Sequence, residues 1–196
     1  MSTSDTDPLA AKATARAEAR AGRRARPRPD PAALADRVLD LVEALPGPRR
    51  VTCYASYGTE PETTLLRERL ASAGFEVLLP RVVDTDLEWV VDGSDTEVSS
   101  MGIAEPSGPA VPLEPVRAML MPALAVTALG DRLGKGGGYY DRVLASLERG
   151  SVMLVALVGD DDVVESLPTE PHDQRVDAVV TPTRVLRCSP AASTDR

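Results

Sequence analysis

The sequence predicts an α/β fold with mainly parallel strand pairing, on two successions of apolar runs. In the first, Arg50–Ser56 reads as a strand with Val51, Cys53 and Ala55 on alternate positions, a helix follows from Pro61 or Glu62 to Ala73, and Phe75–Pro80 is the next strand. In the second, the apolar run Ala118–Val126 leads through a glycine-rich loop into a helix, Tyr139–Arg149, and then a buried strand, Val152–Val158. Strand, helix and strand in alternation favour parallel neighbours. A nearly unbroken apolar run such as Phe75–Pro80 suits a strand covered on both faces.

Residues 1–7 are small and polar and are expected to be mobile. Asp7 and Pro8 supply an N-cap and a first helical residue for an alanine-rich helix that runs to Ala21, with Gly22 as its stop. Lys12, Arg16 and Arg20 fall four apart and share one face; such a face is either solvated or set against an anion. Arg23–Arg28, broken by Pro27, reads as a connector. Asp30 and Pro31 repeat the cap for a second helix to about Leu45, with Leu34, Val38, Leu41, Val42 and Leu45 as its apolar stripe. Beyond Phe75–Pro80, Leu87–Val91 reads as a short strand, Asp92–Ser100 as a polar loop and Gly108–Pro115 as irregular. Asp160–Leu167 reads as a short acidic helix and Asp177–Thr181 as the strand that closes the sheet. Residues 8–187 are expected to form one domain, followed by a mobile tail at 188–196.

Composition narrows the function. With 196 residues, 43% hydrophobic and 27% charged, the chain has the make-up of an ordinary globular domain. No apolar run approaches the roughly 18 residues that cross a bilayer, and the N-terminus lacks the apolar core of a signal peptide, so a cytoplasmic protein without a membrane partner is expected. Cys53, Cys188 and the lone His172 offer neither a disulfide framework nor a zinc set. A net charge of −8 argues against general nucleic-acid binding, although residues 12–28 carry seven basic side chains against Glu18 alone.

The stretch Gly130–Arg142, GDRLGKGGGYYDR, holds five glycines, and the chain's two lysines are Lys12 and Lys135. Glycines allow backbone N–H groups to face an anion, and the helix N-terminus that follows adds unpaired donors. The spacing fits neither a P-loop nor a dinucleotide fingerprint: Lys135 precedes the glycine triplet and no hydroxyl residue follows it. A loop for a phosphate-bearing ligand outweighs a plain surface turn.

RLGKGGGYYDR, preceded by MPALAV, resembles the signature of the 5-formyltetrahydrofolate cyclo-ligase family, also called methenyltetrahydrofolate synthetases. Lys12 with Arg16, Glu60 to Thr63, Gly102 to Pro106 and LPTEPHDQRVD at residues 167–177 fall in the family's order. The resemblance implies a three-layer α/β/α sandwich on a mostly parallel sheet, like the ribose-phosphate isomerase and coenzyme A transferase group, with the ligand at the carboxyl ends of the strands. It also implies an enzyme that uses ATP and Mg2+ to convert 5-formyltetrahydrofolate to 5,10-methenyltetrahydrofolate. Phosphorylation of the formyl oxygen makes an iminophosphate, and the neighbouring folate nitrogen closes the ring as phosphate leaves. The expected partners are a reduced folate and ATP, for a monomer or weak homodimer. Alternatives are a paralogue acting on another formyl or carboxyl compound, or a non-catalytic nucleotide, folate or RNA binder.

Site roles follow residue by residue from that resemblance. Arg132 is the main phosphate grip, with Lys12, Arg16, Leu133, Gly134, Lys135, Gly136, Gly137, Gly138, Tyr139 and Tyr140 as the remaining ATP contacts. Lys135 contacts phosphate or folate, with Arg132 as the catalytic pair, or is simply solvated at a loop tip. Ala55, Glu60 and Tyr139 face the folate, although Glu60 also suits a plain helix N-terminus. Asp141 and Asp177 match the metal-binding aspartates; each also suits an ordinary role, at a helix start and at a turn. His172 is assigned no catalytic part. Many relatives carry Asp where this chain has Thr127.

Overall fold

The computed structural model of the chain describes residues 7–93, 96–98, 104–148, 150–171 and 173–188. Asp7 caps α1 (Pro8–Ala25), accepting the Leu9 N–H at 3.0 Å, and Asp30 caps α2 (Pro31–Glu43), accepting the Ala32 N–H at 2.9 Å. There follow β1 (Arg50–Thr52), α3 (Thr64–Ser72), and an antiparallel hairpin of β2 (Glu76–Val83) and β3 (Asp86–Val91). Two short strands, β4 (Thr96–Val98) and β5 (Ala104–Pro106), pair with each other, and β6 (Ala110–Val111) pairs with β3. Next come β7 (Ala118–Pro122), β8 (Ala125–Thr127), β9 (Arg132–Leu133), α4 (Tyr139–Ser146) and β10 (Met153–Leu157). The chain closes with β11 (Val163–Val164), β12 (Ala178–Val180) and β13 (Val185–Arg187).

The large sheet has the order β13-β12-β10-β7-β1-β2-β3-β6. From β12 to β2 all neighbours are parallel, while β13 on one edge and β3 and β6 on the other are antiparallel. Because side chains alternate across a strand, each central strand feeds two cores. Ala118, Leu120, Val155, Leu157, Ala178 and Val180 face Leu34, Val38 and Val42 of α2 and Leu66 and Leu70 of α3. Met119, Met121, Ala156 and Val179 face the other way, toward Leu144 of α4 and Trp89. The arrangement is therefore the expected three-layer α/β/α sandwich on a mostly parallel sheet.

Several elements differ from the sequence expectations. Helix α1 runs through Gly22 to Ala25, because Arg23 is buried and its guanidinium is held by Asp162 and by the Ala123 carbonyl. Tertiary bonds of that kind outweigh the small helix penalty of one glycine. The run 118–126 splits into two strands: Pro122 ends β7, and Ala125–Thr127 leaves the large sheet to form a second one, ordered β11-β8-β9. The acidic helix is only a 3-10 turn at Asp160–Asp162, after which Val163 pairs with Val126. The last strand to join the sheet is β13, beyond the predicted closing strand, and Thr96–Val98 is paired within the predicted polar loop.

Candidate active site

The glycine loop joins β9 to α4. Gly136 and Gly138 take φ of +104° and +69°, a region that side chains other than glycine's enter at a cost, and Gly138 is the left-handed N-cap of α4. The loop therefore turns sharply enough to lay Gly134 and Gly136–Gly138 along one wall of a cavity of about 300 Å³. The opposite wall is Tyr54 and Ala55, which follow β1, with Tyr57 and Glu60 beyond them. Pro122 at the end of β7 also lines the cavity, and Pro80, Val82 and Leu87 of the β2–β3 hairpin with Pro106 add an apolar lining. The cavity thus lies at the carboxyl ends of β1 and β7, where open parallel sheets bind their ligands.

Charged groups are spaced around this apolar interior. The Arg132 side chain is 4% exposed; its Nη2 donates to Asp141 Oδ1, and its guanidinium lies 6.0 Å from the Tyr140 ring centroid. The Arg132 Nε and the Tyr140 hydroxyl are both buried without a hydrogen-bond partner among the described residues. Burial pushes the Tyr140 phenol well above its ordinary pKa, only partly offset by Arg132, so it stays a neutral donor. Lys135 Nζ stands 2.6 Å from Glu60 Oε1 and 3.9 Å from the Tyr57 ring centroid. The other Glu60 oxygen accepts the Tyr57 N–H at 2.8 Å.

Helix α1 braces the loop from outside. Ala15 and Ala19 pack on Leu124, Ala125 and Leu133, so Leu133 belongs to this small core and does not line the cavity. Arg16 Nε donates to the Gly134 carbonyl at 3.1 Å and Arg20 Nη2 to the Lys135 carbonyl at 3.0 Å. Lys12 sits one turn away from Arg16, buried, with Nζ 2.7 Å from Glu170 Oε2 and 2.6 Å from Asp173 Oδ2.

Asp177 is not brought to Asp141. It precedes β12, at the amino end of the parallel strands, accepts the Leu154 N–H at 2.8 Å, and lines a separate cavity with Arg175 and Cys188. Among the described residues no three His, Cys, Asp or Glu side chains converge on a point. His172 lies outside the described residues. The Thr127 hydroxyl donates to Asp131 Oδ2 at 3.0 Å, and Arg175 holds Asp131 Oδ1 at 2.7 Å.

Tyr54, Tyr57, Pro80, Val82, Leu87, Pro106 and Pro122 line the cavity without having been singled out. Pro122 and Pro106 each fall within a motif quoted above, which was the available signal; the hairpin residues carried none.

Fold and site together define an α/β protein with a ligand cavity at the carboxyl ends of parallel strands, lined by a glycine loop at a helix N-terminus. Residues 9–182 match the model of the 5-formyltetrahydrofolate cyclo-ligase family, and the chain belongs to that family. It is 36% identical over 146 residues to the 5-formyltetrahydrofolate cyclo-ligase of Mycolicibacterium smegmatis, covering 69% of this chain and 75% of that one. To the Escherichia coli K12 enzyme of the same name it is 32% identical, covering 69% and 79% of the two chains. The structure of Aquifex aeolicus 5,10-methenyltetrahydrofolate synthetase superposes with a TM-score of 0.74 at 27% identity, covering 94% and 96%. A 5,10-methenyltetrahydrofolate synthetase from Mycoplasma pneumoniae, at 15% identity and a TM-score of 0.65, shares the fold.

Proposed function

We propose that this protein converts 5-formyltetrahydrofolate to 5,10-methenyltetrahydrofolate with ATP and Mg2+, releasing ADP and phosphate. Its partners are then a reduced folate and ATP, met in the cytoplasm by a single domain over residues 8–187, as a monomer or weak homodimer. The observation that carries the reading is the convergence of Glu60, Arg132, Asp141 and the glycine loop on one cavity.

A formamide carbonyl is a poor electrophile, and its oxygen a poor leaving group. Transfer of the γ-phosphoryl group to that oxygen removes both obstacles, after which the neighbouring nitrogen attacks the carbon and phosphate departs. The protein's task is alignment and charge stabilisation. Glu60 accepts N–H donors of the pterin, Ala55 and Tyr139 bound the ring, and the proline-rich side excludes water. Arg132 turns its guanidinium, whose buried Nε has no partner among the described residues, to the phosphoryl oxygens, and the N–H groups of Gly136–Gly138 hold the remainder. Losing one such stabiliser costs about 3 kcal/mol of barrier, roughly a hundredfold in rate.

Asp141 is the carboxylate placed to hold Mg2+. One acid beside a triphosphate is the inventory magnesium uses, the other ligands being phosphate oxygens and water. The ion would supply charge neutralisation of the phosphates. Asp177, engaged with Leu154 elsewhere, we assign to strand register. Arg16 stands at the loop for phosphate, whereas Lys12 would have to leave Glu170 and Asp173 to reach one.

The test is a mixture of protein, 5-formyltetrahydrofolate, ATP and Mg2+ followed in the near ultraviolet, where the methenyl product absorbs. A rising signal with matching ADP release supports the reading. ADP release without absorbance identifies a different acceptor, and neither signal removes the enzyme assignment.

A further inference from the structure

Lys135 ties together the two walls of the cavity. Its ammonium lies on Glu60 and over the Tyr57 ring, on the folate side of the proposed site, while its backbone belongs to the loop assigned to phosphate. Arg16 and Arg20 hold the carbonyls of Gly134 and Lys135 from outside, so the loop backbone is anchored where the side chain leaves it. The side chain itself is 38% exposed and its partner 5%. Glu60 is therefore a buried carboxylate neutralised by a partly exposed cation.

Such a carboxylate does not give up its counter-charge freely, since an unpaired buried charge is strongly destabilising. It releases the ammonium when other donors replace it. We propose that Lys135 is a swinging cation that couples the two substrates: N–H donors of the folate ring take Glu60, and the released ammonium turns to the nucleotide's phosphates. This rests on the reading above, in which Glu60 receives the ring and the glycine loop receives phosphate. Lys135 would thereby favour nucleotide binding to the folate-loaded protein, which keeps ATP from being spent on water.

Equilibrium binding of ADP with Mg2+, with and without 5-formyltetrahydrofolate, tests this in the absence of turnover. In the wild type, folate should tighten ADP about tenfold, within the usual range of linked sites, and ADP should tighten folate by the same factor. Glu60→Gln releases Lys135 permanently, so ADP alone should bind as it does to the folate-saturated wild type. Lys135→Met leaves the buried Glu60 carboxylate without its counter-charge, so its fold is checked by thermal melting beside the Glu60→Gln/Lys135→Met double variant, which leaves no charge unpaired. Both should give weak ADP binding that folate does not improve. ADP and folate that both bind the wild type without coupling overturn the proposal alone, as does coupling that survives in Lys135→Met. A wild type that binds neither ligand removes the functional reading, and this proposal with it.

Discussion

At the scale of single residues, a buried polar atom can be one that the fold itself does not pair. The Tyr140 hydroxyl has no partner among the described residues, so its desolvation is uncompensated in the free protein. Tyr140→Phe should leave unfolding free energy unchanged or raise it, by up to about 1–3 kcal/mol; urea denaturation measures this, and a clear loss would mean that the hydroxyl is satisfied internally. Asp141→Asn should lower turnover by a hundredfold or more, of order 3 kcal/mol, while the melting temperature holds within a few degrees. Preserved turnover would remove Asp141 from the chemistry. Cys53 is fully buried, and burial pushes its thiol up to about 12. Because only the thiolate alkylates, Cys53 in the native protein should resist iodoacetamide at pH 8 and react after denaturation, as read by peptide mass.

At the scale of elements, the attachment of α1 decides how the glycine loop is held. Asp162 is 5% exposed and accepts from Arg23, from Arg26 and from the Gly159 N–H. Asp162→Ala leaves the buried Arg23 without its carboxylate, and removing one partner of a buried pair costs about 3–5 kcal/mol. Urea unfolding should show that loss. The β8–β9 turn has a similar anchor in Asp131, which collects the Thr127 hydroxyl and Arg175 one residue before Arg132. The helix boundaries illustrate how such contacts override local signals. Gly22 suggests an end to α1, and the buried Arg23 carries the helix past it to Ala25.

At the scale of the whole molecule, long-range ion pairs make stability depend on pH. Burial by itself would lower the Lys12 pKa, but hydrogen bonds and charges from Asp173 and Glu170 outweigh it and raise the group above its ordinary 10.5. A raised cation contributes stability that is complete below the unfolded value and is lost as pH climbs through the folded one. These contacts therefore hold α1 to Glu170 and Asp173 through neutral pH and weaken above about pH 10.5. Asp160 and Glu62 behave oppositely. Burial opposes their charge, yet hydroxyls of Thr181 and Thr183 on Asp160, and the Thr64 hydroxyl and N–H on Glu62, keep both below their ordinary 3.8 and 4.5. Their contribution is complete above those values and disappears as pH falls through the lower folded ones. Asp160→Asn should flatten the decline in melting temperature on the acid side of about pH 4 and leave the alkaline side unchanged.

By itself the sequence determined the α/β class, the parallel succession, the capped starts of α1 and α2, and the glycine loop, while the roles proposed for Arg132 and Asp141 came from the family resemblance that the loop carries. Class, caps and loop are written in local periodicity and local backbone chemistry: alternation along strands, a cap residue before Pro, glycines where positive φ is needed. Only the tertiary structure decided which distant groups meet. It placed the β2–β3 hairpin beside the loop, set Lys135 on Glu60, took Leu133 into a small core, and put Asp177 at the far end of the sheet from Asp141. Those outcomes depend on which end of a strand a residue occupies once several strands are stacked in register, and on how buried charges find partners. Neither quantity exists until the chain has closed on itself.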